Sequence, residues 1–223
     1  MEPALEAIVS DTGPDPRHCV IVMHGLGADG NDFVPIVREL DLPSGAAIRF
    51  IFPHAPTRPV TINGGYVMRA WYDIVNADLT RREDESGVRM SQRQIEAIMA
   101  QEKARGVAAS NIVLAGFSQG GAIALQTGLR HGERLGGILA LSTYLPRADS
   151  VTGERSAANQ GVPIFMAHGV QDPVIALARA EASRDKLASL GYAVEWHEYR
   201  MPHSVCPQEV LDIGTWLRKV FAI

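Results

Sequence analysis

Short β-rich apolar runs alternate with helix-length segments along almost the whole chain, and this alternation limits the fold more than any single residue does. Val20–Met23, Ile48–Phe52, Ile112–Ala115, Ile138–Leu141 and Ile164–Ala167 are such runs, each followed by Gly, Pro, Ser or His. A run that is apolar at successive positions suits a strand buried on both faces, as in a parallel sheet. Ala193–Tyr199 mixes β-formers with polar residues and reads as a strand nearer the sheet edge. Between the runs, Ser91–Arg105 carries Ile95, Ile98 and Met99 at helical spacing, with Ser91 as its expected N-cap. Gln119–Arg130, Val174–Leu190 and Gln208–Val220 read as helices too, the second of these closed by Gly191. Strands alternating with helices predict an α/β fold with a mostly parallel central sheet flanked by helices on both faces. There is no repeat, low-complexity tract or linker, so residues 1–223 are expected to form one domain.

One stretch breaks the rhythm. From about 53 to 90 there is little clean periodicity, many turn formers, and a cluster of Tyr66, Met68, Trp71 and Tyr72. A long irregular segment inside a compact fold is expected to serve as a pocket wall or lid.

Gly116-Phe117-Ser118-Gln119-Gly120 is a G-x-S-x-G motif placed between an apolar strand and a helix. A sharp strand-to-helix turn holds its serine in a strained conformation, and glycines on either side allow the close packing. Such a turn exposes the Ser118 hydroxyl and aims the backbone N–H of Gln119 at the same space, where the helix N-terminus favours developing negative charge. The bland alternative is a Ser118 that simply caps the helix.

A serine hydroxyl is a weak nucleophile until a histidine takes its proton, and the histidine works best when a carboxylate orients it. His197 and His203 are the C-terminal candidates. His197 lies within a strand, whereas His203 follows Met201-Pro202 in a loop before the last helix and is the expected base. Asp172 sits just past the strand ending at Ala167 and is the expected orienter, with a helix N-cap before Pro173 as its competing role. Asp149, Glu154, Asp185 and Asp212 fit less well in a loop or in helices.

Gly25, Gly27 and Gly30 spell G-x-G-x-x-G after a strand, which is also a dinucleotide fingerprint. That reading needs an acidic residue at the end of the next strand, and Ile51-Phe52-Pro53-His54 supplies none. The loop is instead expected to provide a second oxyanion donor, the N–H of Leu26, with His24 bonding nearby backbone.

Composition removes other classes. The net charge of −4 is interspersed, with no basic stripe for nucleic acid or anionic lipid. No apolar run approaches the ~18 residues of a membrane span, and Met1–Glu6 lacks the pattern of a secretory leader. A cytoplasmic protein without stable membrane insertion is expected. Cys19 and Cys206 form no C-x-x-C pair, and Cys19 is expected to be a buried small hydrophobe. No metal and no organic cofactor is expected, and the expected partner is a small ester substrate.

The chain resembles the bacterial carboxylesterase and eukaryotic acyl-protein thioesterase family of small α/β hydrolases over nearly its whole length. The likeness rests on His24–Gly30, Pro53–Pro56, Met68–Asp73, Gly116–Gly121, Leu141–Pro146, His168-Gly169 with Asp172–Val174, and Met201–Val205. Asn63–Tyr66 and Leu141–Pro146 lean toward the bacterial esterase branch. The resemblance implies an α/β-hydrolase fold, the Ser118, Asp172 and His203 triad, oxyanion donors at Leu26 and Gln119, and hydrolysis of carboxylic esters of short to medium acyl chains. The alternative is a thioesterase or lysophospholipase acting on long acyl groups. Met68, Trp71 and Tyr144 are the expected apolar substrate contacts. The stretch 81–88 matches no family motif, and a homodimer stays open.

Overall fold

The computed structural model describes residues 5–75 and 83–223. It holds a seven-stranded sheet built from β1 (Ala7–Asp11), β2 (His18–Met23), β3 (Ile48–Pro53), β6 (Ile112–Phe117), β7 (Gly137–Leu141), β8 (Ile164–Gly169) and β9 (Val194–Tyr199). The spatial order is β1-β3-β2-β6-β7-β8-β9, with every neighbouring pair parallel except β1 and β3. A separate antiparallel hairpin pairs β4 (Thr57–Val60) with β5 (Tyr66–Arg69).

The main helices are α1 (Glu85–Ala104), α2 (Gln119–Arg130), α4 (Leu177–Ser189) and α5 (Pro207–Phe221), with a single turn α3 (Val151–Glu154). Alternate residues of each strand go to opposite faces, as the two-residue period of a strand demands. On β6, Ile112 and Leu114 join the core under α1, α2 and α4, while Val113 and Ala115 join the core under α5. Helices therefore cover both faces, and the expected α/β-hydrolase architecture is present.

Four local expectations differ from the structure. The helix expected at Ser91 begins six residues earlier, because Asp84 accepts a hydrogen bond from Gly87 N (2.9 Å) and caps the helix there. Ser91 is instead fully buried, its hydroxyl donating to the carbonyl of Trp71. The helix expected from Val174 begins at Leu177. Strand β1 and the hairpin β4–β5 were not expected; β1 has the half-exposed alternation of an edge strand, too short to stand out. The part of the irregular segment at 76–82, including the start of the stretch 81–88, lies outside the described residues.

Candidate active site

Functional groups in open α/β sheets gather where the strands end at their C-termini. Ser118 follows β6, the loop 24–30 follows β2, Asp172 follows β8 and His203 follows β9.

Ser118 has φ 55° and ψ −121°, a strained backbone for a residue with a side chain. Its surroundings hold it there. The Ser118 N–H donates to Leu141 O (2.8 Å), and its carbonyl accepts from Ala122 N (3.1 Å) and Thr143 Oγ1 (2.6 Å). A Cβ on Gly116 would collide with the Gly120 backbone, and one on Gly120 would collide with the Met23 carbonyl. Ser118 occupies the N-cap position of α2, yet its side chain makes no capping bond. The hydroxyl is thus withheld from the helix, contrary to the bland reading.

The Gln119 side chain does separate work from its backbone. Its Oε1 accepts from Trp71 N (2.8 Å) and its Nε2 donates to Tyr72 O (2.7 Å). This fastens the 71–72 backbone to the start of α2, and the Gln119 N–H lies at the first turn of that helix, beside Ser118.

The loop after β2 packs directly on this elbow. A Cβ at Gly25 would sit 3.5 Å from the Ser118 Cβ and 3.4 Å from the Phe117 ring, so only a bare backbone approaches so closely, and Leu26 follows it. His24 is 1% exposed: its Nε2 accepts from Ala55 N (3.0 Å), which leaves Nδ1–H to donate to Gly25 O (2.7 Å). Burial pushes the His24 pKa down and keeps the ring neutral, as this bonding requires. Further along, Gly27 (φ +77°) donates to Arg69 O (2.9 Å) and Gly30 N donates to His54 Nδ1 (3.1 Å). Those glycines serve close backbone approach, and no acidic residue follows β3 to serve a nucleotide.

Asp172 is bonded through both oxygens and its side chain is fully buried. Oδ1 accepts from Val174 N (2.8 Å) and Ile175 N (2.9 Å), and Oδ2 accepts from His203 Nδ1 (2.6 Å). The one carboxylate therefore bonds both the following turn and the His203 ring. With Nδ1 turned to the carboxylate, Nε2 is the His203 nitrogen left facing away from Asp172. The His203 ring tilts over Phe117, the residue before Ser118, with centroids 4.7 Å apart. His197 instead stacks on Phe165 at 4.7 Å, on a face of the sheet.

Of the expected substrate contacts, Met68 is half-buried beside the loop, its Sδ 3.6 Å from where a Gly27 Cβ would lie. Trp71 and Tyr144 stand elsewhere than expected. Trp71 is 0% exposed and its indole N–H donates to His24 O (2.8 Å). Tyr144 is 3% exposed, with its hydroxyl paired to Tyr72 (2.8 Å) and the Arg179 guanidinium 4.2 Å above its ring. Both buttress the site from behind and have almost no surface to offer a substrate.

Sequence reasoning missed three supporting groups: the Gln119 amide, Thr143, and His168. His168 Nε2 donates to Ile175 O (2.8 Å) and lies 3.5 Å from Asp172 Oδ2. Its position at a strand end, four residues before the acid, was the available signal. Among the described residues, no group of three or more His, Cys, Asp or Glu could hold a metal ion. No helix there is long and apolar enough to cross a membrane. Both cysteines are free thiols and Cys19 is buried, as expected.

Residues 4–221 match the family model described as Phospholipase/Carboxylesterase. The chain belongs to that family. It is a serine hydrolase of the α/β-hydrolase fold. Acyl-protein thioesterase 1 of Yarrowia lipolytica is 38% identical over 205 residues, covering 90% of each chain. Arabidopsis thaliana SOBER1 superposes with a TM-score of 0.87 at 30% identity, over 92% of this chain and 99% of its own. Zea mays acyl-protein thioesterase 2 gives a TM-score of 0.84 at 25% identity, over 97% and 99%. The lean toward a bacterial branch is not borne out, since these similar proteins are fungal and plant.

Proposed function

We propose that this serine hydrolase cleaves long-chain acyl thioesters and esters through Ser118, His203 and Asp172. The observation that carries the reading is the pairing of a strained, uncapped Ser118 with an Asp172–His203 bond of 2.6 Å above the same strand ends. The preference for long acyl groups rests on the thioesterase relatives and reverses the short-ester preference drawn from the motifs. Apolar side chains on the hairpin beside Gly27 agree with it: Ile62, Tyr66 and Val67 are all exposed.

In the reaction, His203 Nε2 takes the Ser118 proton as Oγ attacks the acyl carbonyl. The tetrahedral oxyanion is held by the N–H groups of Leu26 and Gln119, each contributing about 3 kcal/mol to the transition state. His203 then protonates the departing thiolate or alkoxide, and water attacks the acyl-enzyme by the same route. Asp172 accepts from Nδ1 of the imidazolium that forms in each half-reaction and holds it in place.

Initial rates on p-nitrophenyl esters and on S-acyl peptides, from acetyl to palmitoyl, test the substrate class. A kcat/KM at least about tenfold higher on palmitoyl than on acetyl substrates is expected, the gain of burying a few methylenes. An optimum at acetyl or butyryl would restore the short-chain carboxylesterase instead.

A further inference from the structure

A cleft of about 600 Å³ lies between the end of β3, the hairpin and α1. Arg58, Arg69, His54 and Gln94 line it, with Leu5 and Met90 among its apolar wall. Its polar groups are mostly donors. Arg69 spends one N–H on Ala55 O (2.9 Å). Among the described residues, Arg58 makes a long ion pair, 3.7 Å to Asp84, with the Asp73 charge also acting on it, and its buried Nε has no hydrogen-bond partner. Burial pushes the Arg58 pKa down, opposed by the charges of Asp84 and Asp73. Since His54 Nδ1 accepts from Gly30 N, its Nε2 is the protonated, donating nitrogen. Glu6, also in the lining, is exposed.

The residues lining this cleft also anchor the loop that carries Leu26. Gly27 N is held by the Arg69 carbonyl, Gly30 N by the His54 ring, and His24 by the Ala55 N–H. We propose that the cleft binds a small organic oxyanion, a phosphate or carboxylate bearing a short apolar group, and that its occupant firms the Gly25–Gly30 loop. Guanidinium groups suit such anions through paired N–H donors. The cleft is far larger than a bare phosphate, and its apolar wall selects an attached hydrocarbon. The effect on catalysis rests on Leu26 being an oxyanion donor; the binding does not.

Titration calorimetry on Ser118→Ala protein at constant ionic strength tests the binding apart from catalysis. The probes are n-butyl phosphate, pentanoate, inorganic phosphate and n-butylammonium. We expect n-butyl phosphate to bind about fivefold tighter than inorganic phosphate, through its buried methylenes, and n-butylammonium not to bind. Pentanoate binding in its place would identify a carboxylate as the natural group and also support the site. Arg58→Gln should weaken binding about tenfold or more. Met90→Glu, a half-exposed helix position, should do the same by repulsion if the first variant folds poorly. Absence of oxyanion binding, or binding untouched by both variants, overturns the site. In active enzyme, saturating n-butyl phosphate should raise kcat at least about twofold; binding with unchanged kcat overturns the coupling to the loop. An enzyme inert on every ester would instead count against the proposed function and leave the calorimetric result standing.

Discussion

The Ser118 side and the Asp172–His203 side of the proposed site are held by different physics. Around Ser118 the fixing contacts are backbone to backbone, made possible by glycines whose missing Cβ atoms leave no slack. Around Asp172 and His203 the fixing contacts run through charged or titratable side chains on loops. The first side is therefore rigid by exclusion and indifferent to pH, whereas the second is tuned by electrostatics. Substitutions should follow the same division: steric damage and lost stability on one side, kinetic and pH effects on the other.

The largest kinetic effect is expected at Asp172→Asn. The amide oxygen can still accept from Val174 and Ile175, so stability should change by only about 1 kcal/mol. His203 loses its orienting carboxylate, and kcat should fall on the order of 10⁴-fold. Steady-state rates beside a denaturant melt would show the two effects apart, and a matching collapse of stability would break the proposed division.

On the other side, Gly120→Ala drives a methyl group into the Met23 carbonyl. A loss of about 3 kcal/mol in unfolding free energy is expected, from a shifted urea midpoint. A variant as stable as wild type would show that the elbow has slack after all.

Trp71→Phe probes the backing of the loop. It keeps most of the buried ring but strands the His24 carbonyl, at a cost of about 1–3 kcal/mol. Because that carbonyl precedes Gly25, kcat should drop more than KM rises. A pure KM effect would instead return Trp71 to the substrate wall.

Glu209, in the first turn of α5, gives an effect that depends on pH and is smallest below pH 4.5. It is 0% exposed, and a backbone hydrogen bond from Cys206 only partly offsets the burial of its carboxylate. Burial pushes its pKa from the ordinary 4.5 up to about 8, with the Asp212 charge adding to the rise. In the fold the group keeps its proton while the unfolded chain releases it, so its contribution is fully present below pH 4.5 and is lost as pH rises to about 8. Over that window wild type should lose up to about 1.4 kcal/mol per pH unit relative to Glu209→Gln. Parallel stability curves for the two proteins would show that Glu209 is ionised in the fold.

The same division explains what could be read from sequence. The elbow was legible because its cause is local: a buried strand, glycines at fixed spacing, then a helix. The strands and helices on each side were legible from their periods, and loop position singled out Asp172 and His203, which the structure joins by a 2.6 Å bond. The buttresses were not. Trp71 looked like a pocket residue because an aromatic in an irregular segment gives no hint of a hydrogen bond to His24, 47 positions away. Ser91 looked like a helix cap for want of any signal that it would bond Trp71, 20 positions away. Bonds between side chains and distant backbone leave no period in a sequence.

The central claim is that Ser118 is the residue that carries the acyl group. Labelling with a fluorophosphonate, followed by peptide mass analysis, tests it most directly. The account predicts one equivalent of label on the peptide containing Ser118, none on Ser118→Ala protein, and much slower labelling of His203→Ala. Label on another residue, or undiminished labelling of the Ser118→Ala protein, would contradict it.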